Sequence, residues 1–219
     1  MKRIEMKENI RKEKYSLYFV LITVMSTVLL LISNTTSIKL FSIGKIVLPT
    51  SALLFPITYI IGDIIAEVYG YKKARFVILL GFSCNAFMAL FYVLTIKLPA
   101  AATWNLQNEY ASILGTTPRM FIASLSAMLI GSLSNAFTLD LIKKLTKGKH
   151  LWMRTIGSTI VGELLDTLLF ATIAFIGTVP TSVVLTMIVS QYTWKVTYEA
   201  IATPLTYKII NAYKKLENN

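Results

Sequence analysis

Five acidic residues, Asp63, Glu67, Glu163, Asp166 and Glu199, and one lysine, Lys195, stand inside long apolar runs of a 219-residue chain. A charged side chain at the centre of a lone membrane helix costs roughly 2.5–3.5 kcal/mol on insertion scales. Five such residues are tolerable where they face a wet cavity, pair with a cation or carry a proton. Their spacing groups them. Asp63 and Glu67 are four apart and Glu163 and Asp166 three apart, so each pair shares one helix face. Gln191, Lys195 and Glu199 recur every four residues beside Trp194 and Tyr198. The lysine finds natural partners in Glu199 on its own helix or in Asp166 across a bundle. The chemistry such a set can perform is capture of a polar solute, ion pairing or proton exchange.

The elements that hold these residues are membrane helices. Hydrophobic residues make up 55 % of the chain and charged residues 15 %, against roughly 25 % charged in soluble domains. Mean hydropathy is +0.63. Six apolar runs reach the ~17–25 residues that a bilayer core requires. They lie near 15–33, 46–69, 76–98, 119–142, 155–178 and 181–207. The first run follows a charged segment but exceeds the ~7–15-residue core of a signal peptide and lacks a small-x-small cleavage site, so it reads as an uncleaved helix. Continuous rather than alternating apolarity excludes a β-barrel. The expected organisation is a basic segment 1–14, a six-helix all-α membrane domain 15–207 and a basic tail 208–219.

The formal net charge of +11 follows from topology. Seventeen basic residues fall in the N-terminus, the loops after the second and fourth runs, and the C-terminus. Only Lys39, Lys45, Lys97 and Arg119 fall on the opposite side. The positive-inside rule then places both termini in the cytoplasm of a cell or inner membrane and accounts for the charge without nucleic acid. The loop from Pro99 to Pro118, with Trp104, Glu109 and Tyr110, is expected to be an interfacial loop with aromatic anchors rather than a lid.

Other residues shape the bundle. Pro49, Pro56 and Gly62 in the second run predict a bent helix beside Asp63. Ala123, Ala127, Gly131 and Asn135 form a small-residue stripe suited to close helix packing. Asn135 and Asn85 can also line a cavity. Phe55, Tyr59, Phe87, Phe91, Phe170, Trp194 and Tyr198 offer stacking surfaces. Gly62-Asp63 and Gly162-Glu163 occupy matching places in two three-helix halves, the pattern of a 3+3 inverted repeat.

Much chemistry is missing. The sole histidine, His150, falls in a loop, so no Ser–His or Cys–His pair can form at membrane depth. There is no P-loop pattern. No Cys, His or Met cluster stands beside the carboxylates, which leaves open only a carboxylate site for Mg²⁺ or Mn²⁺. Cys84, the single cysteine, forms no internal disulfide. No cofactor is expected. Clustered mixed-sign groups with aromatic neighbours suit a carrier of one organic solute better than a channel.

The segment Phe55-Pro56-Ile57-Thr58-Tyr59-Ile60-Ile61-Gly62-Asp63-Ile64-Ile65-Ala66-Glu67-Val68-Tyr69-Gly70-Tyr71-Lys72-Lys73-Ala74-Arg75 closely resembles the signature of the queuosine precursor transporter family, also called the vitamin uptake transporter family. Two further segments agree with it: Arg154 to Phe170, with Ser158, Glu163, Leu164, Asp166 and Thr167, and Gln191 to Tyr207, with Lys195, Tyr198, Glu199, Pro204 and Tyr207. The resemblance implies import of 7-deazaguanine bases (preQ0, preQ1 or queuine) for salvage into tRNA. A carboxylate, Asp166 or Glu163, would accept the paired N–H groups of a guanine-like edge. Trp194 or a phenylalanine such as Phe55 would stack on the ring, and Lys195, Gln191 or Asn135 would donate to its carbonyl. Glu199 completes the expected binding set, and Asp63 or Glu67 is expected to exchange protons or form an ion pair. The family is also distantly similar to the substrate-binding components of energy-coupling-factor importers, which leaves an ATPase partner, a homo-oligomer and another heterocycle or vitamin as open alternatives.

Overall fold

The computed structural model describes residues 16–146 and 151–217; within these, the side chains of some helical residues, Phe55, Tyr59, Arg154 and Glu199 among them, lie outside the described set. The expected basic segment 1–14 and His150 also lie outside it. Among the described residues the chain is an all-α membrane protein apart from one small hairpin. Helix α1 spans Leu17–Thr36, and the Ser16 hydroxyl accepts from the Phe19 N–H to cap its start. Strands β1 (Leu40–Ile43) and β2 (Ile46–Pro49) pair antiparallel, with Leu40 opposite Pro49 and Ile43 opposite Ile46. A 3₁₀ turn, Thr50–Leu53, leads to α2, Phe55–Lys97. A short helix α3 (Gln107–Leu114) precedes α4 (Thr117–Leu145), α5 (Leu151–Phe175) and α6 (Thr181–Glu217).

Among the described residues, four helical segments are long and apolar enough to cross a bilayer: Leu17–Thr36, Ile60–Lys97, Gln107–Ile142 and Gly157–Phe175. Their outer faces carry exposed Leu, Ile, Val and Phe, as expected where lipid is the solvent. The second of these is folded. At Gly70 the backbone turns to φ 78°, ψ 171°, a conformation that side-chain-bearing residues rarely adopt. Thr58 and Phe82 stand on opposite sides of Gly70 yet line one cavity of about 290 Å³. On a straight helix they would be about 36 Å apart at 1.5 Å per residue. The arms 55–69 and 71–97 therefore fold back on each other. Ile64 and Ile65 of one arm and Val77 of the other join Phe19 and Ile22 of α1 and Ile210 of α6 in one buried cluster.

Two sequence expectations are corrected here. The second apolar run is not helical from residue 46. Gly44, at φ 60°, supplies a two-residue hairpin turn between β-branched strands, and the helix begins only at Phe55. Nor do prolines bend it. Pro49 ends β2, and Pro56 lies in the first helical turn, where a missing N–H is harmless. The break falls at Gly70 instead. At the other end, α6 continues without interruption past residue 207 to Glu217, with Pro204 inside it.

The tightest helix contact is between α4 and α5. A Cβ added to Gly131 would lie 2.9 Å from the Asp166 Cβ, and one added to Gly162 would lie 2.9 Å from the Asn135 Cβ. The contact is reciprocal: each glycine receives the residue four beyond the other glycine. The small-residue stripe of α4 packs as expected, with Ala123 and Ala127 buried above the crossing. Arg119, near the start of α4, donates to the carbonyls of Ile173 (2.6 Å) and Ile176 and so satisfies the C-terminal end of α5.

Candidate functional site

The glycine crossing sets α5 where its acidic face meets α6. Lys195, 5 % exposed, directs its ammonium to Asp166 Oδ2 at 2.5 Å and to Glu163 Oε2 at 3.1 Å. The two carboxylates stand three positions apart on α5, so one ammonium reaches both. Two acids and one base leave the cluster formally at −1. Of the two partners expected for the lysine, Asp166 is engaged; the Glu199 side chain lies outside the described set.

Lys195 and Asp166 form part of the wall of the 290 Å³ cavity, together with Gln191 one turn before Lys195 on α6. Helix α1 contributes Ser26, Leu30, Ser33 and Asn34, and the 3₁₀ turn contributes Ser51. Phe82 of α2 and Phe170 of α5 supply aromatic surface. Several wall groups are buried without a hydrogen-bond partner among the described residues: both ends of the Gln191 carboxamide, Asn34 Nδ2 and Ser51 Oγ. Buried polar groups in folded proteins are nearly always paired, so a cluster of exceptions around one hollow marks places for a ligand or water.

A second cavity of about 260 Å³ lies beside the first, lined by Gly131, Ser132, Asn135, Thr159, Gly162 and Glu163. Met128 and Asp166 belong to the walls of both. Along α5 the second cavity lies toward the Leu151 end and the first toward Phe170. The ion cluster thus sits at the partition between two hollows stacked along the helices.

The remaining expected residues are placed elsewhere. Trp194 is not in the cavity wall; its indole N–H donates to the Ala52 carbonyl at 3.1 Å and ties α6 to the 3₁₀ turn. Asp63 and Glu67 lie on the exposed face of α2, away from both cavities. Glu67 pairs with Lys214 of α6 at 2.6 Å. Phe87 and Phe91 stack on the outer surface, and the Phe55 side chain lies outside the described set. Asn85 is fully buried with neither amide end partnered among the described residues, but it does not line the cavity. Gly62 and Gly162 also differ, since a Cβ on Gly62 would meet nothing within 4 Å. The aromatic loop is anchored: Tyr110 donates to Thr95 Oγ1 and Gln107 Nε2 to the Ile96 carbonyl, both at 3.0 Å.

Sequence reasoning missed Asn34, Ser33, Ser26, Ser51 and Phe82. The α1 group was visible as a polar stripe, since Ser26, Ser33 and Asn34 share one helix face. Ser51 was hidden because its stretch reads as the start of an apolar helix.

The helices thus hold a buried ion cluster beside a solute-sized hollow. Residues 49–209 match the model of a family described as "Putative vitamin uptake transporter", and the chain belongs to that family. It is also 30 % identical over 146 residues to a protein of Bacillus subtilis (strain 168) named "Probable queuosine precursor transporter". That match covers 66 % of this chain and 64 % of the relative. No solved structure matches the chain.

Proposed function

We propose that this protein is a carrier, not an enzyme, that imports 7-deazaguanine precursors of queuosine through the 290 Å³ cavity. The observation that carries the reading is the buried Lys195–Asp166–Glu163 cluster on the wall of a hollow with unpartnered amide and hydroxyl groups. The volume lies at the low end for ligand sites, which suits one bicyclic base better than a nucleotide. The second Asp166 oxygen is open to accept from a guanine-like N–H, Phe82 and Phe170 offer ring faces, and Gln191 offers a donor to the carbonyl. Lys195 already occupies the place between the two carboxylates that a divalent cation would take, which favours the heterocycle over Mg²⁺ or Mn²⁺. The named relative supports the same cargo.

In this reading the chain crosses the membrane six times: α1, the two arms of α2, α4, α5 and α6. Both termini face the cytoplasm, the bundle occupies 15–207 and basic segments flank it. Three passes on each side of α3 are compatible with a 3+3 inverted repeat. Asp166, in both cavity walls, is the hinge of alternating access: the cargo passes from the outer hollow to the inner one as the Lys195 contacts exchange between Asp166 and Glu163. Cells lacking this chain and fed trace labelled preQ1 or queuine should lose uptake and queuosine-modified tRNA. Complementation with Asp166→Asn should restore neither. Unchanged modification in the deletion strain refutes the cargo.

A further inference from the structure

Lys195 engages one oxygen of each carboxylate, and the buried polar atoms of this cavity wall without a partner among the described residues all belong to uncharged side chains. Gln191 is 1 % exposed with neither carboxamide atom partnered among the described residues, and Asn34 Nδ2 and Ser51 Oγ are in the same condition. These three groups come from α6, α1 and the 3₁₀ turn and converge on one hollow. Gln191 stands one turn from Lys195, so a ring held at the ion cluster lies within reach of it. We infer that Gln191, supported by Asn34 and Ser51, is the specificity edge of the site and reads a ring amide, an N–H adjacent to a C=O. The inference rests on the cargo reading above and deepens it. A carboxamide presents an acceptor beside a donor, the complement of a ring amide, and can take both bonds at once. Asn34 Nδ2 is a further orphan donor that calls for an acceptor on the ligand. An adenine-type edge presents an amino group where a ring amide presents its carbonyl, and so sets donor against donor at Asn34.

The test is equilibrium binding to the purified full-length protein of three bases: 7-deazaguanine, 7-deazahypoxanthine, which keeps the ring amide but lacks the 2-amino group, and 7-deazaadenine. The expected wild-type result is binding of both ring-amide bases at least about fivefold tighter than 7-deazaadenine, the lower bound for a two-bond pairing. Gln191→Leu and Gln191→Glu, checked for folding by thermal unfolding, should each weaken the ring-amide bases about 10- to 100-fold and leave 7-deazaadenine nearly unchanged. Equal wild-type binding of ring-amide and adenine-type bases overturns the inference without any variant. So does an undiminished preference in a folded Gln191 variant, and in both cases the cargo reading survives. A folded wild-type protein that binds none of the three overturns the cargo reading and this inference with it.

Discussion

Lys195 decides the electrostatics of the bundle. Its ammonium is shared by two carboxylates at 2.5 and 3.1 Å, and its removal would leave both acids without their base at membrane depth. Removing one partner of a buried pair costs roughly 3–5 kcal/mol in soluble proteins. The carboxylates are 28 % and 19 % exposed, so the lower end of that range applies. Lys195→Ala should lower the thermal midpoint in detergent and abolish uptake. Lys195→Ala combined with Asp166→Asn should recover much of the stability and none of the uptake, because it removes the uncompensated charge but not the need for the site. Glu67 offers the contrast. Its pair with Lys214 is exposed, and such pairs are worth roughly 0–1 kcal/mol. If Glu67 serves only as this ion pair, Glu67→Gln should leave both unfolding and uptake near wild type, whereas lost uptake with normal stability would support the proton-coupling role expected of it.

At the scale of elements, three glycines do different work. Gly162→Ala would push a methyl group against Asn135 on α4. Crowding of this kind typically costs about 1–3 kcal/mol, and separating α4 from α5 would move Asp166 away from Lys195. Gly70→Ala would force a side chain into φ 78°, ψ 171°, a region essentially reserved for glycine, at about 1–3 kcal/mol, and would weaken the fold-back that brings Thr58 beside Phe82. Gly62→Ala meets nothing and gains helix propensity worth up to about 1 kcal/mol. Unfolding in detergent, followed by tryptophan fluorescence, should rank the three with Gly62→Ala at or above wild type. A destabilised Gly62→Ala would mean that a partner outside the chain packs on that face.

For the whole molecule, the proposed six-pass topology predicts which residues meet which solution. In a Cys84→Ser background, single cysteines replacing Lys45 or Lys97 should react with an impermeant thiol reagent added to intact cells. Cysteines replacing Lys72 or Lys215 should react only after the membrane is opened. Labelling of Lys97 and Lys72 replacements from the same side would break the fold-back at Gly70 as a membrane hairpin. The two cavities make a linked expectation. If they open alternately about Asp166, a cysteine at Ser124 and one at Ser132 should change reactivity in opposite directions when preQ1 is added.

The sequence by itself determined the solvent of the protein and the residues it could not place idly. Apolar length sets helix class, because backbone groups in lipid must be bonded within the segment. The expense of charge in that solvent singles out Asp63, Glu67, Glu163, Asp166, Glu199 and Lys195 alike, and helical spacing puts Gln191 on the lysine's face. Family membership was legible in the motif around Gly62 and Asp63. Tertiary structure alone decided the rest. Asp63 and Glu67 look like Glu163 and Asp166 in one dimension, but the fold-back turns the first pair outward and the glycine crossing turns the second inward. Trp194 ties α6 to the 3₁₀ turn because that turn presents the Ala52 carbonyl to its indole N–H. The cavity wall draws on α1, the 3₁₀ turn, both arms of α2, α4, α5 and α6. Which side of each helix faces the others is a property of packing, not of any local stretch of sequence.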